Sequence, residues 1–225
     1  MTFSEVKEMM HWPISVPFQV GSTEIIVTPL EKTSEERLKV EAFFYLTMPS
    51  SLSVVSVEKI CSPILRENWE HELKMVKRKN GLSESDGNIA ITKLLWNGTG
   101  STPPSAIYSN EKGWMVNYST DDNLWGKGAY FSEDVSYVCG RKPNGSFSYK
   151  YAHRTKKGTI KLFLAEVIVG DSVQLDETPN LPEPPMKEGT NRKYDSVTGF
   201  RHGTFIYCIK DNGRAYPTYV IEFKP

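Results

Sequence analysis

Residues 159–170 read TIKLFLAEVIVG, residues 204–210 read TFIYCIK and residues 216–223 read YPTYVIEF. β-Branched and aromatic side chains fill all three runs, so each predicts a strand. Asp211-Asn212-Gly213 lies between the last two and carries the turn chemistry of a hairpin. Before them, PNLPEPPMKEG at 179–189 is proline-rich and predicts a surface loop.

Toward the N-terminus the pattern changes. Residues 14–30 alternate around Gly21-Ser22 and predict short strands. Thr33 and Glu36 stand at capping-box spacing before LKVEAFFYL, so a helix starts near Ser34. Residues 53–60 alternate as a strand does, and Ser62-Pro63 opens a second helix. Its apolar residues Leu65, Trp69, Leu73 and Val76 form one stripe, and Gly81 can end it in the left-handed conformation. Lys74, Lys77, Arg78 and Lys79 complement the helix dipole and read as a solvated end. A polar loop at 82–90 leads to the strand TKLLW, the turn Asn97-Gly98-Thr99 and a short helix opened by Pro103-Pro104 and closed by Gly113. Gly126-Lys127-Gly128 introduces the strand AYFS, and a loop at 139–146 precedes SYKYAH. Helices in the first half and strands in the second define an α+β fold.

The chain has 225 residues, with Lys+Arg and Asp+Glu equal at 27. That length supports one domain over 1–225 with its own core. Neutral balance argues against a protein built to grip nucleic acid or an anionic membrane. MTFSEVKEMMHWP has no apolar signal core, and no apolar run reaches the length of a membrane span. Three widely spaced cysteines, Cys61, Cys139 and Cys208, suggest neither a disulfide framework nor a metal site. The expected location is therefore inside the cell, in cytoplasm or nucleus, and sequons at Asn97, Asn117 and Asn144 read as chance.

Five segments, in order, carry a resemblance: LLWNGTGSTPPSAIYSNEKGW, NLWGKGAYFSEDVS, KLFLAEVIVGD, YDSVTG and AYPTYVIEF. They resemble the catalytic domain of the poly(ADP-ribose) polymerase superfamily, and VEKICSPILRENWEHELKM is similar to its mono-ADP-ribosylating branch. The likeness implies an ADP-ribosyltransferase fold, an antiparallel or mixed sheet core in two packed sheets with flanking helices. It implies NAD as substrate, no metal, a protein acceptor, and a single domain with no room for a helical regulatory domain.

The likeness also implies a site. Gly98 would offer its backbone N–H and C=O to the nicotinamide carboxamide, and Thr99 beside it would also bind NAD. Tyr130 is similar to the first tyrosine that stacks on the ring. The second tyrosine and a carboxamide-binding serine are Tyr151 and Ser148, with Tyr149 and Ser136 as the competing alignment. Two positions depart from the family. Asn97 stands where a histidine would hold the adenine-side ribose, and Val220 where polymerising members carry glutamate. The catalytic positions are thus Asn97, Tyr130 and Val220, with Glu222 an edge or surface residue. Asn117 replaces an arginine of the donor loop, for which Lys127 or Arg141 are candidate substitutes. His202 lies where an acceptor would approach. The expected activity is mono-ADP-ribosyl transfer. The alternative is a weak or inactive relative that binds NAD, ADP-ribose or protein.

Overall fold

The computed structural model describes residues 23–83, 86 and 91–225. The strands expected before residue 23 and most of the polar loop at 84–90 lie outside the described residues. In chain order the elements are β1 (Ile26–Pro29), α1 (Glu35–Tyr45), β2 (Ser53–Cys61), α2 (Pro63–Lys79), β3 (Thr92–Asn97), α3 (Pro104–Tyr108), a 3-10 turn (Val116–Tyr118), β4 (Ala129–Ser132), α4 (Val135–Val138), β5 (His153–Arg154), β6 (Ile160–Ile168), β7 (Ser172–Gln174), β8 (Ser196–Arg201), β9 (Thr204–Ile209) and β10 (Ala215–Lys224).

The strands join in one path, β1-β2-β10-β6-β3-β4-β9-β8-β7, with β5 paired to β6. All pairs are antiparallel except β7–β8, so the sheet is mixed. A single register pair, Trp96 with Ser132, joins β3 to β4. The two sheets expected from the sequence are thus two halves of one path, hinged at that pair. An apolar cluster draws on both halves, with Ile60, Leu95, Phe163 and Val220 from one and Phe131, Tyr207 and Ile209 from the other. The other face of the first half buries Trp96, Tyr219, Ile221 and Phe223 under Val40, Phe43 and Phe44 of α1.

Helix α1 begins as expected, although Ser34 rather than Thr33 is the cap: its Oγ accepts from Arg37 N at 3.3 Å. Helix α2 buries Leu65, Trp69, Leu73 and Val76 against Ile168 and Tyr216. Arg66, one turn from Trp69, lies 3.8 Å above the Tyr216 ring and pairs with Glu166 at 2.8 Å. The basic end of α2 is not simply solvated. Lys77 is buried with its ammonium on the Asp86 carbonyl, and Lys79 pairs with Asp195 at 2.6 Å. Their long stems bury easily once the charge finds an oxygen.

The hairpin expected at Asp211-Asn212-Gly213 is absent. β9 pairs with β4 and β8, whereas β10 pairs with β2 and β6. The turn forms, with Gly213 at φ +80°, and carries the chain from one half of the sheet to the other. Turn chemistry specifies a bend; burial decides which strands pair. β10 is buried at every residue from Tyr216 to Ile221, so a ladder on both edges satisfies its backbone far from water. Two shorter elements also differ from expectation. SYKYAH is mostly irregular, with Tyr149 at φ +53°, and the helix after Pro103 stops at Tyr108.

Candidate active site

Where β3 and β4 part, a cavity of about 700 Å³ opens. Its wall is made by Asn97, Gly98 and Thr99 at the end of β3 and by residues 128–132 around β4. Tyr137 and Val138 of α4, Tyr151, Ile107 of α3, Trp114, and Arg201 and His202 at the β8–β9 turn also line it. The volume lies within the range of small-molecule sites.

Of the three expected catalytic positions, Asn97 and Tyr130 line the cavity and Val220 does not. Asn97 Nδ2 donates to the Tyr130 carbonyl at 2.8 Å, so a side chain replaces the backbone ladder where the strands separate. Asn97 is opposite Phe163 on β6, and Phe163 is opposite Val220 on β10. Val220 therefore lies in the same cross-strand row, two strands and roughly 10 Å from Asn97. It is 1% exposed, behind the cavity wall in the apolar cluster.

Trp114 is the residue that the sequence reading missed. Its ring wedges edge-on between Phe131 and Phe163, at 5.2 and 5.1 Å, filling the seam between the sheet halves. Its indole Nε1 donates to Asn97 Oδ1 at 2.9 Å. Both ends of the Asn97 amide are thus engaged within the protein, and Asn97 is 7% exposed. No periodicity signals that bond, because the partners are 17 residues apart on unrelated elements. Asn97→Ala should leave the indole N–H buried without an acceptor and cost about 2 kcal/mol. A thermal melt should show a fall of roughly 4–8 °C. Asn97→His should keep more of the stability, since its two ring nitrogens can serve one acceptor and one donor role. An unmoved melting temperature in Asn97→Ala would remove this structural role.

Tyr130 lines the cavity with its ring parallel to Trp125, 7° between planes and 6.1 Å between centroids. Its hydroxyl donates to the Gly126 carbonyl at 2.7 Å and accepts from Trp125 N at 2.9 Å. Burial pushes its phenol well above the ordinary value, so it stays neutral. Lys210 braces the same loop. Its ammonium reaches the carbonyls of Trp125, Lys127 and Leu181, and burial lowers its pKa. The ring face of Tyr130 is therefore set by two layers of hydrogen bonds.

Gly98 occupies the cavity wall, but its missing side chain has a packing reason. A Cβ there would lie 2.3 Å from the Tyr151 carbonyl oxygen and 2.9 Å from a Val138 methyl. Tyr151 O in turn accepts from Gly100 N at 2.8 Å, so the Tyr151 backbone closes over the turn. Any side chain at position 98 would displace Tyr151 before it met a ligand.

Of the two competing serine–tyrosine pairs, only Tyr151 reaches the cavity, where it is 48% exposed. Ser148 is exposed and its hydroxyl donates to the Gly140 carbonyl at 3.2 Å. Ser136 is buried in α4, and Tyr149 packs on Phe147 and Phe223. Val138 holds the wall beside Gly98, and Tyr137 adds an aromatic face. Thr99 is in the wall, its hydroxyl donating to the Thr102 carbonyl. Neither substitute cation for Asn117 is in the lining. Lys127 pairs with Asp121 at 3.4 Å, and Arg141 is exposed on the loop after α4. Arg201 is the guanidinium in the wall among the described residues, paired with Glu177 at 3.4 Å. His202 stands beside it at φ +48°, its ring tilted against Tyr137 at 6.1 Å. Glu222 is no edge residue. It sits mid-sheet, bonded to Thr159 at 2.5 Å and to Lys161 at 3.3 Å.

Comparison with known proteins places this geometry. A probable poly [ADP-ribose] polymerase of Dictyostelium discoideum is 27% identical over 208 residues, covering 92% of this chain and 55% of that protein. Human protein mono-ADP-ribosyltransferase PARP12 is 29% identical over 195 residues, covering 86% of this chain and 25% of the relative. Human protein mono-ADP-ribosyltransferase PARP11 is 26% identical over 229 residues, covering 95% and 62%. The chain thus spans between 25% and 62% of the length of these relatives. The family model described as the poly(ADP-ribose) polymerase catalytic domain matches residues 34–225. That match takes in every element that builds the cavity, from β3 to the β8–β9 turn, and the chain belongs to the poly(ADP-ribose) polymerase catalytic domain family.

Proposed function

We propose that this chain is the catalytic domain of an NAD-dependent mono-ADP-ribosyltransferase acting on a protein acceptor inside the cell. The observation that carries this reading is a preformed cavity whose wall brings Asn97 and Gly98 of β3 together with Tyr130 of β4 and Tyr151. Nicotinamide would lie between the faces of Tyr130 and Tyr151, against the Gly98 backbone, and the rest of NAD would run past Thr99 and Ile107. Cleavage breaks the bond between nicotinamide and its ribose through an oxocarbenium-like state. The acceptor oxygen or nitrogen forms the new bond to that carbon, its proton passes to solvent or an acceptor carboxylate, and nicotinamide leaves. Such chemistry asks the protein chiefly for positioning and fixed dipoles. The hydrogen-bonded Tyr130 loop, with Phe131 and Trp114 in the cavity wall, supplies a rigid frame.

Incubation with NAD labelled in the adenylate half, with a protein acceptor present, should transfer label to protein. Excess nicotinamide should suppress it. Absence of label on any acceptor, with nicotinamide neither bound nor released, would remove the reading. A second reading has one observation in its favour: the Asn97 amide is spent on Trp114 and Tyr130, leaving the ribose without the partner that the family's histidine provides. Under that reading the domain binds nicotinamide or ADP-ribose and transfers nothing. A melting-temperature rise with nicotinamide and no transfer would select it.

A further inference from the structure

From residue 135 to residue 165 the chain contains no acidic residue. Within that stretch Arg141, Lys142, Lys150, Arg154, Lys156 and Lys157 are all exposed. None of the six joins an ion pair among the described residues. Elsewhere exposed or half-exposed cations do pair, as Lys127 does with Asp121 and Lys193 with Glu183. In a chain whose charges balance overall, this is a concentrated and uncompensated positive arm.

The arm is fastened to the cavity. It leaves α4 with Ser148 N on the Gly140 carbonyl at 3.0 Å and Tyr149 N on the Cys139 carbonyl at 2.8 Å. Tyr151 is at once a member of the arm and a wall of the cavity, and His153 Nδ1 meets the Gly100 carbonyl at 3.0 Å. β5 then pairs with β6, so Lys156 and Lys157 sit at the turn that ends the arm. A field anchored this way acts on whatever approaches the mouth.

We propose that this arm docks an acidic protein segment and so selects acceptors whose modified residue is flanked by Asp or Glu. The inference rests on the transferase reading for the word acceptor, and on the arm alone for the docking. Nucleic acid fits less well, because binding a single strand needs free aromatic faces as well as cations. Phe147 and Tyr149 pack on each other, Tyr149 also lies against Phe223, and Arg154 stands 5.8 Å from the Tyr149 ring centre. Lys150 stands over Tyr151, whose ring belongs to the cavity wall. What remains available is charge on separate, solvated stems, which suits carboxylates spaced along a peptide.

The test is fluorescence anisotropy with a short labelled peptide alternating Glu and Ser, against its Gln-Ser counterpart and an oligothymidylate. At low salt the wild-type chain should bind the acidic peptide about tenfold more tightly than the neutral one, and about 0.5 M salt should erase the difference. Reversing four charges together (Arg141→Glu, Lys142→Glu, Lys156→Glu and Lys157→Glu) should abolish the preference. Neutralising Lys156→Gln and Lys157→Gln should weaken it about threefold. Melting temperature and nicotinamide binding of both variants should stay at wild-type values. Equal affinity for the two peptides, an acidic-peptide preference untouched by charge reversal, or tighter binding of the oligothymidylate would each overturn the proposal. Preference for the acidic peptide, with no label transferred from NAD to it or to any protein acceptor, would uphold the docking surface and count against the transferase reading alone.

Discussion

With labelled NAD in excess, the products should be discrete species, each one ADP-ribose heavier per modified site, and no high-mass smear. Chain growth requires the 2′-hydroxyl of an attached ADP-ribose to attack a second NAD. That hydroxyl is a weak nucleophile and needs a carboxylate within hydrogen-bond reach, and general-base assistance is worth on the order of 10²–10⁴-fold. Val220, which the family resemblance sets where polymerising members carry glutamate, has only methyl groups and is buried among Trp114, Phe131 and Phe163. The nearest carboxylate along β10, Glu222, is tied to Thr159 and Lys161 and is outside the cavity wall. Elongation should therefore trail the first transfer by that same factor. Val220→Glu should not restore it. The new carboxylate would enter an apolar cluster without a partner, and the expected result is a lower melting temperature. Gel separation of the wild-type products decides the matter, and a smear would show that another group serves as the base.

The second large effect concerns Asp195, whose side chain is 0% exposed. Lys79 Nζ at 2.6 Å, Asn80 Nδ2 at 2.8 Å and Asp171 N at 2.9 Å all donate to its carboxylate. Arg214 Nη1 donates to its carbonyl at 2.9 Å, while Nε and Nη2 of the same guanidinium reach Glu72 and Asp211. One residue thus ties the end of α2 to the start of β8 and to the turn before β10. Asp195→Ala would leave the Lys79 charge and the Asp171 amide without their acceptor. Breaking one partner out of a buried pair costs about 3–5 kcal/mol. A fall in melting temperature of roughly 10–15 °C is expected, and a fall under a few degrees would show the network to be dispensable. The group also has a pH signature. Burial raises its carboxyl pKa, but the bonds from Lys79, Asn80 and Asp171 outweigh that and hold it below the ordinary value. Its stabilisation is full above the unfolded value near 3.9 and is lost as pH falls through the lower folded value. The melting-temperature gap between wild type and Asp195→Asn should therefore close below about pH 4.

Local chemistry was readable wherever a residue's neighbours in sequence are also its partners in space. The Pro63 start of α2, its apolar stripe, the Ser34 region that opens α1 and the strands at 159–170 and 216–223 all follow from periodicity and capping, because those signals act within a few residues. Gly98, Tyr130 and Tyr151, which the family motifs single out, line one cavity, and their roles there are part of the proposed function.

Tertiary structure decided everything that depends on long-range pairing. The turn at 211–213 bends the chain in either topology, and only the demand of a fully buried β10 for two ladders sends β9 elsewhere. Asn97 read alone offers its amide to a ligand; the fold spends that amide on Trp114 and Tyr130. Ser148 had the right chemistry in the right order, yet the left-handed Tyr149 after it turns the chain so that Tyr151 enters the cavity and Ser148 does not. Lys77 and Lys79 looked like solvated charges because their acceptors, the Asp86 carbonyl and the Asp195 carboxylate, come from other parts of the chain. A hydrogen bond is chosen by geometry at about 3 Å, and a sequence pattern carries no distance between residues far apart in the chain.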